Sequence, residues 1–152
     1  MKTLAAILLC LVTASCAYDD HPCGGSFSVD DSRIDAEALR RAGDKWNELS
    51  GQDRFRVTDG PGACSVRVDD VTTEGAWAEY RWKGGTAWIA VTEDLLRQPL
   101  RTFEAVMLHE LGHSERLEHV RRGVMAQGDG HEDDFTDEDL AECRRAGLCP
   151  SL

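Results

Sequence analysis

HELGHSERLEH, residues 109–119, carries three histidines, and the way the chain turns within it decides how the rest must be arranged. Residues four apart are neighbours on a helix, so His109 and His113 share one face and can address one ion. Glu110 is turned too far round to bind that ion but can reach a water beside it. This is the H-E-x-x-H arrangement, in which two neutral imidazoles hold zinc and the glutamate handles a proton. Zinc lowers the pKa of its water from about 16 to about 7, and the carboxylate relays the proton to a leaving amine.

His119 cannot join from the same uninterrupted helix. Six residues beyond His113 is roughly 600°, or about 240° round the axis, which faces away from the ion. The chain must therefore leave the helix near residue 116 and double back. Glycine does so cheaply, whereas a side chain in the left-handed conformation costs about 1–2 kcal/mol, and Arg116 stands here. That penalty is small against a structural zinc affinity of roughly 10 kcal/mol or more, and a cation at a helix C-terminus recovers a few tenths. Glu118, Asp129 and His131 are the alternative third donors. Glu115 and Glu118 otherwise read as solvated side chains.

Outward from the motif, the pattern predicts a helix over residues 100–117, with Phe103, Val106, Met107, Leu108 and Leu111 on its buried side. Upstream, residues 31–50 place Ile34, Ala38, Ala42, Trp46 and Leu49 every three or four positions. They predict an amphipathic helix capped by Asp31 or Ser32 and stopped by Gly51. Residues 26–29 (SFSV), 54–58 (RFRVT), 64–68 (CSVRV), 77–83 (WAEYRWK) and 86–91 (TAWIAV) predict strands, the fourth half-exposed or at an edge and the last buried on both faces. Residues 94–99 read as a link. Residues 136–139 (TDED) open a last helix in capping-box fashion, running to about residue 146.

The N-terminus reads as an export signal. A short basic start precedes LAAILLCLV, residues 4–12, which is too short to span a bilayer permanently. Thr13-Ala14-Ser15-Cys16 resembles the lipobox of bacterial lipoproteins, which makes Cys16 the lipidation candidate and residues 1–15 the removed signal. Cleavage after Ala17 is the competing reading. Residues 16–25 form a tether, and residues 26–152 are enough for a single domain with a real core.

Of six cysteines, Cys23, Cys64, Cys143 and Cys149 remain for the exported domain, an even number that implies two disulfides. A short loop favours Cys143 with Cys149, and hence Cys23 with Cys64. No C-x-x-C pair points to zinc held by thiolates. The formal charge of −11 disfavours nucleic acid and anionic lipid as partners, since both need a basic face, and leaves a lipid as the only tie to a membrane. Residues 128–134 (GDGHEDD) could hold calcium but lack the spacing of a known loop, so a hydrated acidic turn is the simpler reading.

HELGHSERLEH followed by Gly123-Val124-Met125 resembles the metzincin zinc peptidases, whose pattern is H-E-x-x-H-x-x-G-x-x-H and then a methionine turn. The likeness is greatest to the matrixin type and extends from residue 26 to the last helix. It implies an α/β (α+β) fold with a mixed, twisted five-stranded sheet and three helices, the zinc site on the second. It implies His109, His113 and His119 as ligands of one catalytic Zn2+, Glu110 as general base and acid, and Met125 as the hydrophobic floor. An extended peptide would pair with the edge strand, residues 76–82.

Three features depart from the pattern: Arg116 replaces glycine, only five residues separate His119 from Met125, and no acidic calcium loop precedes the zinc helix. The run His21-Pro22-Cys23-Gly24 faintly resembles the thiolate switch of matrixin propeptides, but that role would leave an odd cysteine. The expectation is an exported monomer, lipid-anchored at a bacterial cell envelope or secreted, that hydrolyses peptide or protein substrates through zinc-activated water. A non-catalytic binding protein of the same fold is the alternative.

Overall fold

A computed structural model describes residue 23, residues 25–128 and residues 132–151. The expected signal, Cys16 and most of the tether lie outside the described residues. Strand β1 (Ser26–Val29) leads into helix α1 (Ala36–Ser50), then β2 (Arg56–Thr58), β3 (Cys64–Val68), β4 (Ala78–Lys83) and β5 (Thr86–Val91). Helices α2 (Glu93–Leu96), α3 (Leu100–Ser114) and α4 (Asp137–Arg145) follow.

The sheet order is β2-β1-β3-β5-β4, parallel except for β4, which runs antiparallel to β5. The β1–β2 pair needs a crossover, which α1 supplies, whereas β4 and β5 join through Gly84-Gly85, both at positive φ as a two-residue hairpin demands. The mixed five-stranded α/β architecture is the expected one. A fourth helix is added where a link was expected, because the Thr92 hydroxyl accepts from Leu95 N–H and acidic Glu93 and Asp94 fill the first turn. The histidine helix is therefore third in order rather than second.

Two element starts shift for local reasons. Asp31 binds the Arg33 amide and guanidinium instead of capping, so Asp35 caps α1 through the amides of Glu37 and Ala38. Strand β2 begins at Arg56 because Asn47 Oδ1 takes the N–H groups of both Arg54 and Phe55.

One face of the sheet presents Phe27, Val66, Ile89 and Val91 to α1 and α3, and all four are buried. Trp46 is fully buried between them, its indole N–H bonded to the Leu108 carbonyl at 2.7 Å, which fixes α1 against α3 while satisfying its polar atom. Both expected disulfides, Cys23–Cys64 and Cys143–Cys149, are present. With Cys23 so bonded, it has no thiol for a blocking role. Among the described residues, no helix is long and apolar enough to cross a membrane.

Candidate metal centre

Helix α3 does end before residue 116. Arg116 N–H bonds the His113 carbonyl at 2.9 Å and Leu117 N–H the Gly112 carbonyl at 3.1 Å, the two bonds of a Schellman turn. Arg116 sits at φ 63°, the only non-glycine residue at positive φ among those described. The buried Leu117 pins the turn to the core. The chain then doubles back, and His119 returns to the face that His109 and His113 share.

The three rings meet through their Nε2 atoms. His113 Nε2 lies 3.0 Å from that of His109 and 3.0 Å from that of His119, with 3.3 Å between His119 and His109. Nitrogens roughly 2.0–2.1 Å from a tetrahedral zinc stand about 3.3 Å apart, so the spacing fits one ion. Carbonyls orient two of the rings: His109 Nδ1 meets Val124 O at 2.7 Å and His113 Nδ1 meets Leu117 O at 2.9 Å. A carbonyl only accepts, so Nδ1 carries the hydrogen and Nε2 keeps its lone pair for the metal. Burial lowers the pKa of both His113 and His119, holding them in the neutral form that ligation needs.

Glu110 is buried beside this cluster and bonded through Oε2 to the Tyr80 N–H of β4 at 2.7 Å. Burial pushes its carboxyl up to about 7, against the lowering effect of that amide. Its other oxygen has no partner among the described residues. The cluster and Glu110 line an open cleft of about 730 Å³, together with Trp77 and Tyr80 from the strand side and Val106 from α3.

Against α3 the chain turns at residues 123–126, the Ala126 N–H bonding the Gly123 carbonyl at 3.2 Å. Met125 is fully buried, and its sulfur packs so closely on Gly112 that a Cβ there would collide with it. The N3 residue of α4, Asp139, is wholly buried and accepts from the Val124 and Met125 N–H groups at 3.0 and 2.8 Å while closing the capping box with Thr136. Gly123 lies so near Asp139 and Thr136 that no side chain fits. Thus α4 holds the turn whose Val124 carbonyl orients His109.

His109, Glu110, His113, His119 and Met125 are therefore brought together, while Cys16, Asp129 and His131 lie outside the described residues. Glu118 is exposed and, among the described residues, joins no group that could hold a metal. Glu115, expected in solvent, is buried, because Arg54 reaches across from the segment before β2 and bonds it at 2.7 Å. Of the acidic turn, Glu132 and Asp133 are paired with Arg122 and Arg101. Sequence reasoning missed the Asp139 clamp, although its capping-box spacing was visible, and the Tyr80 N–H, which carries no sequence signal.

No protein-family model and no curated relative matches the sequence. Among solved structures, the crystal structure of archaemetzincin from Methanopyrus kandleri is similar at a TM-score of 0.54 and 17% identity, over 80% of this chain and 93% of that one. The five-stranded mixed sheet and its helices are thus similar in fold to archaemetzincin.

Proposed function

We propose that the chain is a zinc endopeptidase of the metzincin type, matrixin-like from its histidine helix to its methionine turn. The observation that carries this reading is the convergence of three imidazole Nε2 atoms within 3.0–3.3 Å beside a buried carboxyl in an open cleft. His109, His113 and His119 would hold one zinc, which when bound supplies the Lewis acidity that makes water a nucleophile near neutral pH.

Glu110 takes the proton of the attacking water and returns it to the leaving amine. Burial raises the readiness of this carboxyl to take up a proton, and the Tyr80 amide fixes its orientation. The substrate lies extended along β4. Tyr80 N–H points away from β5, so by the alternation of an antiparallel ladder Ala78 and Trp82 also turn their peptide groups to the open side. Trp77 and Trp82, 41% and 65% exposed, flank that rim. A binding domain with the same histidines would have no use for a buried, destabilising carboxyl.

Residues 1–15 are read as an export signal with Cys16 as the lipid-anchored N-terminus, cleavage after Ala17 and secretion being the competing reading, and the mature chain as a monomer that acts on peptides or proteins outside the cytoplasm. The test combines metal analysis with a broad peptide library. One zinc per chain and cleavage are expected, with Glu110→Gln lowering kcat by roughly 10²- to 10⁴-fold at unchanged zinc content. If the zinc-loaded protein cuts nothing, or Glu110→Gln leaves the rate alone, the endopeptidase reading fails.

A further inference from the structure

The left-handed residue in the ligand loop is an arginine, and the residue before it is a buried glutamate held from outside the loop. Glu115 is the C-cap of α3, its side chain is only 6% exposed, and Arg54 Nη1 bonds its Oε2 at 2.7 Å. Arg54 is itself fixed on several sides. Its N–H goes to Asn47 of α1 at 2.8 Å, its Nε to Gln52 at 2.9 Å, and Gln52 reaches the Leu148 carbonyl. Gly25 packs on the Arg54 carbonyl so tightly that a Cβ there would collide with it.

We propose that Arg54 is a positioning residue for the third histidine: through Glu115 it holds the left-handed turn at Arg116 that carries His119 back to His109 and His113. The inference deepens the zinc-peptidase reading and rests on it. A side chain at positive φ persists only where its surroundings over-determine it, since the relaxed alternative is always near. Relaxation at residue 116 moves everything after it, and His119, three residues on and exposed, has the least packing of the three rings to resist. Glu115 is the buried half of this pair and Arg54 the partly exposed half, and a charge pair at a hinge can select one backbone arrangement whatever its net contribution to stability. The pair reaches no reacting atom. It acts through the turn, and the turn acts through His119.

The experiment measures zinc affinity of the whole chain by competition with a chromophoric chelator, together with the visible spectrum of the cobalt-substituted protein. Arg54→Ala is expected to weaken zinc binding by roughly 10- to 100-fold, in the range of other ligand-orienting contacts, and to move the cobalt spectrum toward that of His119→Ala. In an Arg116→Gly background, where the left-handed turn needs no support, Arg54→Ala should change the affinity by less than about threefold. Arg54→Lys should restore most of the loss.

Because Arg54→Ala strands a buried carboxylate, Arg54→Ala with Glu115→Ala removes both charges and is expected to stay weak. The proposal is overturned if that double variant binds zinc as the unsubstituted chain does. It is also overturned if Arg54→Ala costs as much in the Arg116→Gly or His119→Ala background as in the original. Absence of zinc binding by the unsubstituted chain is a separate outcome, and it would remove the metal-centre reading on which this one stands.

Discussion

At the residue scale, Glu110 and Arg116 are both held where they are intrinsically unfavourable. The folded protein raises the Glu110 pKa from 4.5 to about 7, so the folded state binds its proton more tightly than the unfolded one, and stability falls as pH rises through that window. In chelator-treated protein, Glu110→Gln, whose amide oxygen can still accept from Tyr80, should match the unsubstituted chain near pH 4. It should then gain stability progressively, reaching about 3 kcal/mol above pH 7. Denaturant unfolding across that range checks this, and a pH-independent difference would contradict it. Arg116→Gly should raise stability by about 1 kcal/mol in thermal unfolding, the relieved strain outweighing the added freedom of the unfolded chain. His109, Glu110 and His113 were legible in the sequence because helical spacing alone puts them together. His119 was legible only as a condition, since it hung on one φ angle at a residue whose own preference opposes it.

At the element scale, the site is an agreement between α3 and a turn that α4 holds from below. Asp139 completes the capping box that Thr136 opens and accepts the amides of Val124 and Met125, so Asp139→Ala strands buried donors and should cost about 3 kcal/mol in equilibrium unfolding. The same substitution frees the Val124 carbonyl from its place against His109 and should weaken zinc binding roughly tenfold in chelator competition. Full retention of both would mean that Met125 packing and the backbone bonds of residues 120, 126 and 132 hold the turn without Asp139. The long helices were legible from their periods, β2, β3 and β4 from alternation within the longer runs that contain them, and β5 from its continuous apolar run. Helix α2 was not, because four residues are too few to show a period and its Thr92 cap is one hydroxyl among many. For the start of α1 the sequence offered Asp31 or Ser32, and Asp35 was missed because nothing in the spacing showed that Arg33 would occupy Asp31. Asp139 could be read as a capping residue but not as a partner of residues 124 and 125, because that contact depends on tertiary packing.

At the scale of the whole molecule, two covalent ties fasten the parts the site depends on. Cys23–Cys64 joins the start of the described domain to β3 over a separation of 41 residues, while Cys143–Cys149 closes a separation of 6 at the end of α4. Loop-closure entropy assigns the first about 4 kcal/mol and the second about 2. Replacing Cys23 and Cys64 together by Ala should therefore lower the thermal midpoint more than replacing Cys143 and Cys149, and the reverse order would show that the short loop has the larger role. The pairing was readable from spacing, but the strand order was not, since alternation identifies strands without naming their neighbours. The outer rim of β4 also has a consequence for the protein in bulk. The outward peptide groups at Ala78 and Trp82, on either side of the Tyr80 N–H that Glu110 occupies, can pair with the same strand of another copy, which would extend the two sheets into one. The charge of −11 keeps copies apart at low salt, and that protection fades as the Debye length shrinks to roughly 3 Å at 1 M. Sedimentation should accordingly find self-association that grows with ionic strength and disappears when a peptide occupies the cleft. Mass that stays constant under all three conditions would mean that the rim is closed to its own kind.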